Sequence, residues 1–236
     1  MPHSKPASFR RKTLVAWLTV ISAALVVLGG AVRVVTYQVL NDPEGKTARL
    51  LSRFDLGMEP SIPNWWSSLL WLLNAGVAMC CLKILERSNN RQRQMFGLLA
   101  ILFVILALDE AVMIHELADA TLQGWLNTGG LLYFAWVIPG AIFALACAAA
   151  FGKFVFELPP VVRNKIFVSG AVFVSGAIGV ELLEGPLYES GNSESVMFTV
   201  FQCIEEGLEM LGIILCIDAL LHFLHLKNAR LDVEFL

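Results

Sequence analysis

Read along the chain, apolar residues gather into six long runs: roughly Leu14–Val35, Trp65–Leu85, Phe96–Glu116, Leu131–Val155, Ile166–Leu183 and Phe198–Leu224. Crossing about 30 Å of hydrocarbon as a helix takes about 20 mostly apolar residues, and each run is long enough or nearly so. The pattern predicts an all-α integral membrane protein, a single membrane domain of six transmembrane helices. The first run follows "SFRRKTLV", which partly matches a twin-arginine export signal. Its apolar stretch is too long for such a signal and no clear A-x-A site follows, so it reads as an uncleaved first helix.

The polar segments between the runs set a direction. Lys5, Arg10, Arg11 and Lys12 precede the first span, and Arg87, Arg91 and Arg93 separate the second from the third. Lys153, Arg163 and Lys165 surround the turn between the fourth and fifth, and Lys227 and Arg230 follow the sixth. The 3–4 and 5–6 connections carry neither Lys nor Arg. Positive residues stay on the cytoplasmic side, so both termini are expected there. The long 1–2 connection departs from the pattern with Lys46, Arg49 and Arg53, although it also holds acidic residues. The pair Trp65 and Trp66 in "IPNWW" suits an interfacial anchor at the outer start of the second span.

Composition agrees with this reading and narrows it. Of 236 residues, 57% are hydrophobic and 16% charged, with a mean hydropathy of +0.68, well away from a soluble average of about 25% charged. A net charge of −3 with no basic face gives nucleic acid nothing to bind. Cys80, Cys81, Cys147, Cys203 and Cys216 all lie inside apolar runs, without a C-x-x-C pair, and read as small packing residues. The expected location is the cytoplasmic (inner) membrane of a bacterium, with the lipid bilayer as first partner.

The candidate chemistry is acidic. "LALDEAVMIHELAD" places Asp109, Glu110, His115 and Glu116 directly behind the apolar run of the third span. "GVELLEG" gives Glu181 and Glu184 to the fifth, and "FQCIEEGLEMLG" gives Glu205, Glu206 and Glu209 to the sixth. With spans alternating in direction and rising about 1.5 Å per residue, all nine fall near one level, toward the extracytoplasmic face. On a continuous helix Asp109 and Glu116 share one side, as do Glu205, Glu206 and Glu209 within an arc of about 100°. Glu110 and His115 diverge to either side of the Asp109 line. Facing lipid would cost about 2.5–3.5 kcal/mol per charge, so the acids should turn to the bundle interior or a water-filled cavity. Glu184 and Glu116 could instead end their helices in interfacial water, an explanation that Asp109, Glu181, Glu206 and Glu209 lack.

So many carboxylates in low dielectric need either a bound cation or shared protons. Inward Glu pairs from several helices are the ligand pattern of di-metal bundle sites, and oxygen ligands with at most one imidazole favour Fe or Mn, with Ca or Mg also compatible. The first expectation is therefore a divalent metal held by Asp109, Glu110, His115, Glu116, Glu181, Glu184, Glu205, Glu206 and Glu209. It would serve a metal-dependent hydrolase or oxidoreductase acting on a small hydrophobic, lipid-like or quinone-like substrate. A cation or proton transporter using the same acids is the alternative. A third reading is an assembly subunit, in a homo-oligomer or a larger membrane complex. No E-x-x-H pair occurs, and "HELAD" lacks the second His of a metalloprotease helix. "LDEAVM" resembles the LDE-x-x-M stretch of alkaline ceramidases, but the upstream Ser and Phe-His of that family are absent from the second span, and nothing is carried over from it.

Three further features complete the reading. Asp218, His222 and His225 lie at the cytoplasmic end of the sixth span, on the side away from the acids, and read as interfacial polar residues rather than a second metal site. Arg33 is expected to snorkel to the interface more readily than to neutralise an acid. Asn74 suits interhelical bonding, and Pro139–Gly140 suggests a kink within the fourth span.

Overall fold

The computed structural model describes residues 7–40, 45–58, 60–85 and 89–227. Lys5, Arg87 and Arg230 lie outside the described residues, as does the side chain of Arg10. The elements are α1 (Ala7–Val34), α2 (Lys46–Leu51), α3 (Ile62–Ile84), α4 (Asn90–Val112), α5 (Ile114–Leu126), α6 (Val137–Phe156), α7 (Pro160–Val174), α8 (Glu181–Glu189) and α9 (Val196–Leu226), with no strand among the described residues. Wider π turns, Val35–Val39 and Ser175–Val180, extend α1 and join α7 to α8.

Six continuous helical runs are long and apolar enough to cross a membrane: Arg11–Val39, Ile62–Ile84, Asn90–Val112, Val137–Phe156, Pro160–Glu189 and Val196–Leu226. They alternate in direction. One end of the bundle, the basic end, carries Arg11, Arg91, Arg93, Lys165 and Lys227, and the other, the acidic end, carries Asp109, Glu110, Glu116, Glu181, Glu184, Glu205, Glu206 and Glu209.

The 31-residue helix α9 is the packing centre, set against α1, α3 and α7. Its inward face (Met210, Ile213, Ile214, Ile217, Leu220 and Phe223) is buried. α7 comes close because Gly212 has no side chain: a Cβ there would lie 2.7 Å from the backbone nitrogen of Phe173. The Ser169 hydroxyl then donates to the Gly212 carbonyl at 2.8 Å, and the Asn74 amide of α3 donates to the Ile213 carbonyl at 3.0 Å. Small and polar residues thus bring backbones together where apolar attraction between helices is weak. Below this level Phe96 meets Phe154 and Phe223, each at 5.0 Å between ring centres, and closes the core toward the basic end.

Three spans differ from the sequence expectation. The third does not run unbroken to Glu116. Met113 takes a left-handed conformation (φ 57°, ψ 48°) that ends α4, and α5 sets off from it. A non-glycine residue there costs roughly 1–2 kcal/mol, offset by the Asp109 contacts described below. The shared side of Asp109 and Glu116 holds only for a continuous helix, so it is lost. The fourth span starts at Val137, not Leu131, so Pro139 stands in the first turn, where the missing N–H is not needed, and does not kink a helix interior. The fifth is longer than expected, running from Pro160 to Glu189, and contains the π turn. Gly176 in that turn is pressed on α9, where a Cβ would meet the Glu205 carbonyl at 2.8 Å.

Adding one methyl at the tight crossing should be costly. Gly212→Ala is expected to lose about 1–3 kcal/mol by overpacking. Gly170→Ala, with nothing within 4 Å, should be neutral or gain about 0.5–1 kcal/mol from helix propensity. Unfolding of the two variants in detergent micelles checks the contrast, and equal stabilities would contradict the close α7–α9 contact.

Candidate functional site at the acidic end

The first wall is the break between α4 and α5. Asp109 accepts the His115 backbone N–H with Oδ1 at 3.1 Å and faces His115 Nδ1 with Oδ2 at 3.0 Å. One carboxylate therefore satisfies an orphan donor in the first turn of α5 and fixes the imidazole plane. The ring lies against the Trp136 indole, 4.8 Å between centres. Asp119, one turn further along α5, accepts the Trp136 backbone N–H at 3.0 Å, and the indole Nε1–H donates to Glu181 at 3.2 Å. Trp136 is thus the bridge from α5 to α8.

The second wall is α8 against α9. The Glu205 side chain lies beside those of both Glu181 and Glu184, near enough to interact with each. Glu206 and Glu209 are near enough to act electrostatically on Glu184 and Glu205 respectively. The stripe expected on the sixth span exists because α9 is unbroken, and it faces the α8 pair. Glu184 is 2% exposed, so it faces the bundle interior and does not end its helix in water. Its Oε1 finds no N–H or hydroxyl donor among the described residues.

The third wall comes from the connection between α1 and α3. Arg33 does not snorkel. It is 6% exposed and bonded through Nη1 to Asp55 Oδ1 at 3.2 Å, with Asp55 itself 1% exposed. Its Nη2 donates to the Ser193 carbonyl at 2.9 Å, and its guanidinium lies over Tyr37 and Phe198. Gly57 leaves room for the Arg33 and Gln202 side chains, since a Cβ would lie 2.4 Å from Arg33 Nη1. Arg33 is also within electrostatic reach of Glu184.

The nine expected ligands do not form one set. Glu110 accepts from Asn64 of α3 at 3.2 Å, Glu116 is exposed, and Asp109 is engaged with His115. Glu181, Glu184 and Glu205 meet in pairs. Among the described residues, no group of three or more His, Cys, Asp or Glu side chains is disposed to hold a metal ion, so the metal expectation gains no support from this geometry. At the basic end Asp218 is paired with Arg11 at 3.3 Å and with Lys165, which makes it a clamp between α9, α1 and α7 and leaves no ligand pair with His222 and His225.

Asp55, Trp136 and Gln202 escaped the sequence reading. Asp55 lies in a loop whose fold the apolar pattern does not report. Trp136 had been counted inside a span. Gln202 is a single polar residue one turn before Glu205 and Glu206, on the same face, and that spacing was the available signal.

The model of a family described as a domain of unknown function (DUF8692) matches residues 14–223. The chain belongs to that family. No curated protein and no solved structure matches it. The match takes in all three walls of the DUF8692 chain's acidic end, from Arg33 to Glu209.

The Arg33–Asp55 pair should be expensive to split. Arg33→Ala or Asp55→Ala alone leaves a buried, uncompensated charge and is expected to cost about 3–5 kcal/mol. The double variant should cost clearly less than the sum. Thermal unfolding in detergent across this cycle is the check, and additive losses would show that the two side chains are not coupled.

Proposed function

We propose that the chain is an integral membrane protein with its basic end cytoplasmic, and that its acidic end is a one-sided acid–base centre. In this reading Glu181, Glu184 and Glu205 hold at least one shared proton. The observation that carries it is Glu184, buried, with its Oε1 without an N–H or hydroxyl donor among the described residues and its carboxyl set beside that of Glu205. Two ionised carboxylates offer acceptors alone, so they can bond to each other only through a proton. The contact between Glu205 and both α8 acids calls for such a proton more than it calls for a metal.

His115, bonded to Asp109 and set against the same Trp136 indole that donates to Glu181, places a second ionisable group beside the acids. The imidazole is the group whose ordinary titration range lies nearest neutrality, and it is only part-buried. Toward the basic end the core is closed by Phe96, Phe154 and Phe223, which favours chemistry at one face over transport through the bundle. Proton exchange with a hydrophobic substrate of lipid-like or quinone-like character, arriving from the bilayer, fits that placement.

Infrared spectroscopy of the protein in lipid tests the central claim. A carbonyl-stretch band of a protonated carboxyl should be present at neutral pH, shift on isotopic labelling of Glu, and disappear in Glu205→Gln while the protein remains folded. Absence of the band in the unaltered protein, or stoichiometric iron or manganese after purification without metal-affinity steps, would overturn the shared-proton reading.

A further inference from the structure

Helix α5 is not one of the six long apolar runs, yet it carries an apolar stripe that nothing in the bundle covers. Ile114, Leu117 and Trp125 share one side at helical spacing, with Leu117 73% and Trp125 82% exposed. The opposite side is engaged. The His115 ring lies tilted against that of Trp136, Asp119 accepts from the Trp136 backbone, and Gln123 Nε2 donates to the Tyr133 carbonyl at 3.0 Å. α5 is therefore fixed by its polar side to the segment that leads into α6, with its apolar side turned out.

Length says where this happens. α4 has 23 residues and α6 has 20, so they are about 34 and 30 Å long, and each alone spans the hydrocarbon thickness of about 30 Å. The chain has finished crossing when α5 begins and has not started back when α5 ends. An exposed apolar face of α4, with Val104, Leu108 and Val112, runs up to the Met113 break directly before the stripe. An uncovered apolar stripe bearing a Trp, starting where a membrane-long helix ends, has the make-up of an interfacial helix.

We infer that α5 lies in the plane of the extracytoplasmic membrane surface, its Ile114–Leu117–Trp125 stripe seated at the boundary of headgroups and acyl chains. This rests on the membrane reading above and not on the shared proton. The Met113 turn is then the corner that lays the helix flat, and Asp109, bonded to both the backbone and the ring of His115, holds the corner. Because α5 contains no Lys or Arg, its attachment comes from apolar burial and needs no anionic lipid.

Tryptophan quenching in phosphatidylcholine vesicles decides it. The emission of Trp125 is taken as the difference between the unaltered protein and Trp125→Phe, with lipids brominated either shallow or deep along the acyl chain. Trp17, on the exposed face of the first run, gives a control by the same difference with Trp17→Phe. Trp125 emission should be lost preferentially with shallow bromines, equally with or without added phosphatidylglycerol. Preferential loss with deep bromines, or no loss with either, overturns the in-plane placement, the second outcome being that of a stripe in water or covered by another copy of the chain. If Trp17 too is quenched by neither lipid, the membrane reading itself has failed. If Trp17 is quenched and Trp125 is not, only the inference about α5 has.

Discussion

Burying Glu184 beside Glu205 is the constraint around which the acidic end is arranged. An isolated carboxylate in an apolar interior costs far more than a bundle of this size can spare, so the group needs partners or a proton. The surroundings are organised to supply them. The π turn and Gly176 let α8 come onto α9 close enough for Glu205 to reach both Glu181 and Glu184. Trp136 donates to Glu181 from the start of α6, and Arg33 contributes positive charge while its own bond to Asp55 keeps it from escaping to the surface. Remove the close approach and the remaining contacts have no reason to exist.

Below that layer the chemistry changes over less than two turns of α9. Asn74 and Ser169 spend their hydrogen bonds on the carbonyls of Ile213 and Gly212, which is structural use of polarity, and beyond them the centre is aromatic and aliphatic. A helix such as α9 can thus be reactive at one end and inert along the rest. The depth of the polar layer, and not its charge, separates the proposed acid–base site from a transport pathway.

How much of this could be read beforehand follows from what sequence periodicity reports. Long apolar runs give the number and order of helices, because the period depends only on which residues lie together. They gave six, and the α9 stripe, correctly. Periodicity assumes an unbroken helix, so it failed where the backbone departs from one: at Met113, where a single left-handed residue ends α4 and turns Glu116 away from Asp109. That break has no composition signal as clear as a proline. Arg33 was misjudged for a related reason. Its partner Asp55 sits in the 1–2 connection, and pairing across a loop depends on tertiary closure that one-dimensional spacing does not contain.

The two ends of α9 show the same problem resolved in two ways. At the basic end a single acid, Asp218, is held between Arg11 and Lys165, so its charge is cancelled by cations delivered from α1 and α7. At the acidic end three carboxyls meet with one guanidinium nearby, and that cation is already bonded to Asp55. Ion pairing cannot balance this second group as it does the first. A fully paired carboxylate is inert, whereas carboxyls left short of cations must take up something else to be stable in the fold. That surplus of acid over base, and not the mere presence of acids in an apolar helix, distinguishes this end of the bundle and is what the proposed acid–base site rests on.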